Sequence, residues 1–239
     1  MTLKPRPLST LLIACAAAML LSACQTTNMA QNGGPNAGID ASMQRALSAS
    51  RSKNANKSLD TLERIYTKTP QSEQAAIDYA AALRRNDNLN QAAIILAPFA
   101  DGKEGSAAAK AEFAAIALAQ GEYPKAEKYA QRAILQDEYD FEAFHYLGIA
   151  LDAQGQHKEA ERAFRKGLEM WEGDPTSIMN NLALNLASQE HLDEAAEILQ
   201  KARMISPDRR EVERNLRIVT ALQQSNGTPV PKPMKKPNS

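Results

Sequence analysis

Cysteine is nearly missing from this chain. Only Cys15 and Cys24 occur, both at the N-terminus, inside or at the edge of an apolar run. A disulfide framework, thiol catalysis and a cysteine metal site are therefore not expected. An excess of either charge is missing too: 28 basic residues face 28 acidic ones, so nothing points to nucleic acid as a partner. Aromatic residues make up 5% of the chain, and Val and Thr are sparse while Ala is abundant, a composition that favours helices over strands. No nucleophile elbow, P-loop, glycine-rich dinucleotide fingerprint or HExxH is present. The chain is expected to be no enzyme and to bind no cofactor, metal or small-molecule substrate.

The N-terminus is what a targeting segment looks like. Lys4 and Arg6 precede an apolar run from Leu8 to Ala23, which has the length of a signal-peptide core and is short for a bilayer span. The run ends in Leu21-Ser22-Ala23-Cys24, which resembles the lipobox of bacterial lipoprotein precursors; an ordinary signal peptide, or a buried helix that happens to end in Cys, is the other reading. The resemblance implies removal of residues 1–23 and lipidation of Cys24, whose several acyl chains would anchor the protein to a membrane. Removal of Lys4 and Arg6 would leave the mature chain slightly acidic. Gln25, where an Asp would mark inner-membrane retention, implies delivery to the periplasmic face of the outer membrane. Residues 24–38, polar and rich in Asn and Gly, read as a flexible tether.

From residue 39 the chain repeats. A frame of about 34 residues starts at Ile39, Glu73, Ala107 and Phe141, then after one extra residue at Thr176. Position 8 is Ala46, Ala80, Ala114, Gly148 and Ala183; position 20 is Ser58, Ala92, Ala126, Ala160 and Ala195, all small. Position 24 is mostly large (Leu62, Leu96, Ala130, Phe164, Leu199), and Tyr79, Phe113, Leu147 and Leu182 fill position 7. This pattern resembles the tetratricopeptide repeat (TPR). The resemblance implies an all-α solenoid of about five helix-turn-helix units over residues 39–224, in which small residues let two helices cross closely and stacked units share one core. Gly121 and Gly155 mark turns, Pro124 a first helical turn, and Asp174-Pro175 a cap. The first unit is weakly apolar in its first helix, with Arg45 and Ala49 at positions 7 and 11. Pro98 is expected to end or kink its helix early and to loosen the joint that follows. Residues 210–224 read as a capping helix with Leu216, Val219 and Leu222 on one side, and residues 225–239 as a disordered Pro/Lys-rich tail.

In TPR arrays the first helices line a groove, and the resemblance carries its usual positions onto His145, Tyr146, Ile149 and Asp152, then Asn180, Asn181, Leu184 and Asn185, then Arg214 and Asn215. The amides of Asn181 and Asn215, both at position 6, suit the main chain of an extended peptide or, equally, the ordering of neighbouring helices. His145 belongs to a first helix while His157 and His191 fall near turns, too far apart along the stack to share a metal.

Among TPR lipoproteins, the strings DYAAALRRN (78–86) and NNLALNLASQEHLDEAAEILQKA (180–202) are similar to the TadD-type assembly lipoprotein of Flp (tight-adherence) pili. That resemblance implies a pilotin that binds a pilus secretin subunit. A scaffold for peptidoglycan hydrolases is the competing reading.

Overall fold

The computed structural model describes residues 59–102 and 104–225. The signal segment, Cys24, the tether, the first half of the first repeat and the tail beyond 225 lie outside the described residues. Every regular element described is a helix, as expected of an all-α chain: α1 (residues 59–68), α2 (Glu73–Arg85), α3 (Leu89–Asp101), α4 (Ala107–Ala119), α5 (Tyr123–Gln136), α6 (Phe141–Ala153), α7 (His157–Glu169), α8 (Thr176–Ser188), α9 (Leu192–Ile205) and α10 (Arg210–Ser225). The frame residues Glu73, Ala107, Phe141 and Thr176 each open a helix.

One turn design recurs at the end of α2, α4, α6 and α8. A residue at position 15 takes a left-handed backbone: Asp87 (φ 62°), Gly121 (φ 75°), Gly155 (φ 76°) and Glu190 (φ 66°). The next N–H reaches back to a carbonyl in the last helical turn: Asn88 to Leu83 (2.9 Å), Glu122 to Ala117 (2.9 Å), Gln156 to Leu151 (3.0 Å) and His191 to Leu186 (2.9 Å). This is a Schellman ending, which satisfies carbonyls that the helix leaves open and turns the chain back on itself. The opposite turns end in side-chain caps. Ser72, Ser106 and Asp140 accept the N–H of Ala75, Ala109 and Ala143. Before α8 the cap residue is Pro175, and Asp174 takes the Thr176 N–H at 2.9 Å.

Packing follows the frame. Ala80, Ala114 and Ala183 at position 8 and Ala92, Ala126, Ala160 and Ala195 at position 20 are fully buried. The fourth unit trades volume across the crossing. It has Gly148 at position 8 and Phe164 at position 24, and a Cβ on Gly148 would sit 2.5 Å from the Phe164 ring. α1, the one described helix of the first unit, packs Leu59, Leu62 and Tyr66 onto the core of the second. α10 closes the stack by burying Val212, Leu216 and Val219. Leu222, expected on that stripe, is exposed; Gln223 is buried instead and donates to Asp193 at 2.8 Å, because the buried face slides along the helix. Exposed Arg217 stands at position 8, where every other unit is small.

The expectation for Pro98 needs correction. α3 runs through it to Asp101. Pro98 is exposed, and so is Ile94 (72%), whose carbonyl loses its N–H partner; water can replace that donor. The joint that follows is pinned. The buried Lys110 ammonium donates to the carbonyls of Gly105 and Ser106 and to Gln136 Oε1 (2.8 Å), while Glu73 accepts the Ser106 N–H at 2.7 Å. Gly105 has no room for a side chain: its Cβ would lie 1.7 Å from the Phe99 carbonyl oxygen.

Candidate protein-binding face

The first helices of successive units touch: α2 with α4, α4 with α6, α6 with α8 and α8 with α10. They form one continuous layer, and the groove positions of the repeat lie on it. The face has two different halves.

In the C-terminal half the expected residues are stitched together. His145 is buried, and its Nε2 lies 2.9 Å from Asn181 Nδ2, which donates to it. Burial pushes the imidazole down to about 4, so it is neutral near pH 7 and can accept. Phe164 and Trp171 also pack around its ring. One unit further, Asn215 Nδ2 donates to Asn180 Oδ1 at 2.8 Å, with both residues buried. The two bonds share a logic: position 5 of one first helix meets position 6 of the next. Asn185, fully buried, donates to Asp152 Oδ1 (2.7 Å) and to the His157 carbonyl (2.9 Å), and accepts from Gln189 (3.0 Å). Asp152 also meets His157 Nδ1 at 2.7 Å. Asn180, Asn185, Asn215 and His145 thus spend their hydrogen bonds inside the stack. Tyr146, Ile149, Asn181 and Leu184 keep partial exposure, and Arg214 is exposed.

The N-terminal half carries charge that the sequence reading did not single out. Arg84 of α2 and Glu112 of α4 form a two-pronged ion pair, Nε to Oε1 at 2.8 Å and Nη2 to Oε2 at 3.0 Å. Tyr146 and Glu142 of α6 are close enough to both to feel their charge. Among the described residues Glu142 makes no ion pair, and the Tyr146 hydroxyl makes no hydrogen bond to another residue. Partial burial raises the Glu142 carboxyl above its ordinary value, helped by repulsion from Asp140 and Glu112 and opposed by Arg84. Burial, then Glu142, raises the Tyr146 phenol. Arg84 and Glu112 occupy positions 12 and 6, so the frame would have found them had it been carried onto the earlier helices; Glu142, at position 2 of α6, was passed over on a helix the frame did reach.

His157 opens α7 and His191 caps α9. Among the described residues no three His, Cys, Asp or Glu gather in a way that could hold a metal ion.

A family model described as tetratricopeptide repeat matches residues 111–175 and 147–209. No curated protein matches the sequence. Solved structures do. A chain of the APC/C hetero-tetramer Cut9-Hcn1 aligns with TM-score 0.67 and 17% identity over 73% of this chain, which spans only 35% of that one. A thermophilic TPR protein of Thermus thermophilus aligns with TM-score 0.62 and 16% identity, over 74% of this chain and 95% of that one. YrrB, a TPR protein with an unusual peptide-binding site, aligns with TM-score 0.51 and 20% identity, over 69% and 84%. At these identities the likeness is one of fold. The chain has a TPR-type helical repeat fold, and such repeats typically serve as non-catalytic scaffolds for protein interactions.

Proposed function

We propose that this protein is a lipid-anchored TPR adaptor that grips a protein partner on its first-helix face, at the periplasmic side of the outer membrane, and that it acts as a pilotin for an Flp-type pilus secretin. The observation that carries the adaptor reading is the continuous layer of α2, α4, α6, α8 and α10, with Tyr146, Ile149 and Leu184 left partly open on it. The Leu21-Ser22-Ala23-Cys24 string supports the anchor, and the strings at 78–86 and 180–202 support the pilus assignment. The lipid would supply location, the tether reach and the face the grip.

The test is a pull-down from detergent-solubilised envelopes with the lipidated protein as bait and Cys24→Ala as a control for placement. Recovery of a secretin subunit, diminished by Tyr146→Arg, is the expected result. Recovery of cell-wall hydrolases without secretin would replace the pilotin role by the scaffold role. Asn215→Ala is a poor probe of binding, because that amide is buried and its loss acts on the stack.

A further inference from the structure

Position 9 of the frame changes character along the stack. In α2 and α4 it is Ala81 and the buried Ala115; in α6, α8 and α10 it is Ile149, Leu184 and Ile218, each partly exposed. Leu222, one turn on from Ile218, is 43% exposed. The last three first helices thus carry a row of branched aliphatic side chains across the face. The helix in the middle of that row, α8, has no charged residue. Packed helices stand about 8–10 Å apart, which sets the spacing of the row.

The row ends at the helix from which residues 226–239 continue, and these lie outside the described residues. Their sequence, NGTPVPKPMKKPNS, has proline at 229, 231, 233 and 237. Proline at this density favours polyproline II, in which one face recurs every three residues, about every 9.3 Å. Thr228, Pro231, Met234 and Pro237 share one such face, and Lys232 and Lys235 share another. The face without charge therefore has the period of the row. Reach agrees as well. Ile218 lies about 10.5 Å back along α10 from Ser225, and residues 226–230 span about 15 Å, with Asn226-Gly227 as a turn-forming pair.

We propose that the chain's own C-terminal tail docks across this row, with Pro231 on Ile218, Met234 on Leu184 and Pro237 on Ile149, and so covers the C-terminal half of the first-helix face. The match is one of period and reach, and Lys232 and Lys235 stay turned to solvent. Attachment makes weak contacts count. A short tether holds the tail at an effective concentration on the order of 1 mM, so a dissociation constant of about 1 mM leaves it docked half the time. The tail then competes with any partner for Ile149 and Leu184; that consequence rests on the adaptor reading, whereas the docking does not. Ala81 and Ala115 offer no such row, so the N-terminal half of the face stays open.

The experiment is disulfide trapping in the full chain, with Cys15→Ala and Cys24→Ala so that only introduced cysteines react. Leu184→Cys with Met234→Cys, and Ile149→Cys with Pro237→Cys, should each close within one chain about tenfold faster than Glu197→Cys with Met234→Cys. Glu197 is exposed on α9, away from the first-helix layer. The rate should not depend on protein concentration. In the envelope pull-down, Met234→Asp should raise partner recovery about twofold, as a half-occupied face is freed. Equal rates for all three pairs would overturn the proposal, and so would disulfides formed between chains in proportion to concentration. A partner captured without selective trapping would overturn the docking and leave the adaptor reading standing. Selective trapping with nothing captured would support the docking and count against the adaptor reading.

Discussion

The two halves of the solenoid share one backbone plan and differ in what joins their units. From α6 to α10 the joints are side-chain hydrogen bonds in series: His145–Asn181, Asp152–Asn185, Asn180–Asn215 and Gln223–Asp193. From α2 to α6 they are alanine contacts, a charge pair, a buried lysine and two amide bonds, Gln120 to Asn90 at 3.2 Å and Gln154 to Glu127 at 2.8 Å. A stack of this kind is held by nearest neighbours, so each joint sets its own local stability. The comparison teaches that polar residues on a TPR face divide into those that build the stack and those that remain for a partner. Burial with a satisfied bond marks the first kind, and Glu142 and Tyr146 are of the second.

The largest break in that comparison should come from Gly148→Val. A Cβ already meets Phe164 at 2.5 Å, and two further methyl groups should cost about 3 kcal/mol or more in chemical denaturation. Acid should separate the halves next. The His145 imidazole sits at about 4 in the fold against about 6.5 in an unfolded chain, so the unfolded state binds more protons between these values. Its contribution is present above pH 6.5 and lost as pH falls toward 4, a loss of about 3 kcal/mol that His145→Gln should not show. Asn185→Ala should cost about 2 kcal/mol, since it empties a fully buried site and removes a donor from partly buried Asp152 and from the His157 carbonyl. In the N-terminal half, Arg84→Gln should cost about 1 kcal/mol, because that pair is only partly buried. The smallest effect is a gain. Glu190→Gly relieves a left-handed backbone and should raise stability by about 0.5–1 kcal/mol, with less from Asp87→Gly because Asp tolerates that conformation better.

The helix starts were legible because close crossing leaves a direct mark, a small residue at a fixed period. Two of the four left-handed turns were legible as Gly121 and Gly155. Their equivalents at Asp87 and Glu190 were not, since the Schellman bonds hold those residues in place without glycine's help. Pro98 misled because a local rule about helices ignores where the orphaned carbonyl points. The face was read only in part. The frame located His145 and the asparagines, yet whether an amide faces solvent or the next helix depends on the spacing between units, which no single repeat encodes. Arg84 and Glu112 were overlooked in units whose alanine-rich first helices stand out less from the background, and Glu142 because a lone acidic residue in a first helical turn reads as an ordinary solvated one. The family model shows the same gradient, matching from residue 111 onward.

The central claim is that a partner lies on the first-helix layer. Site-specific photo-crosslinking in intact envelopes tests it most directly, with the photoreactive side chain placed at exposed Ala108 or Ala119 on α4, or at exposed Ile94 on α3 or Leu135 on α5. The account predicts that Ala108 and Ala119 capture a common partner and that Ile94 and Leu135 do not. Capture from Ile94 and Leu135, with none from α4, would contradict it.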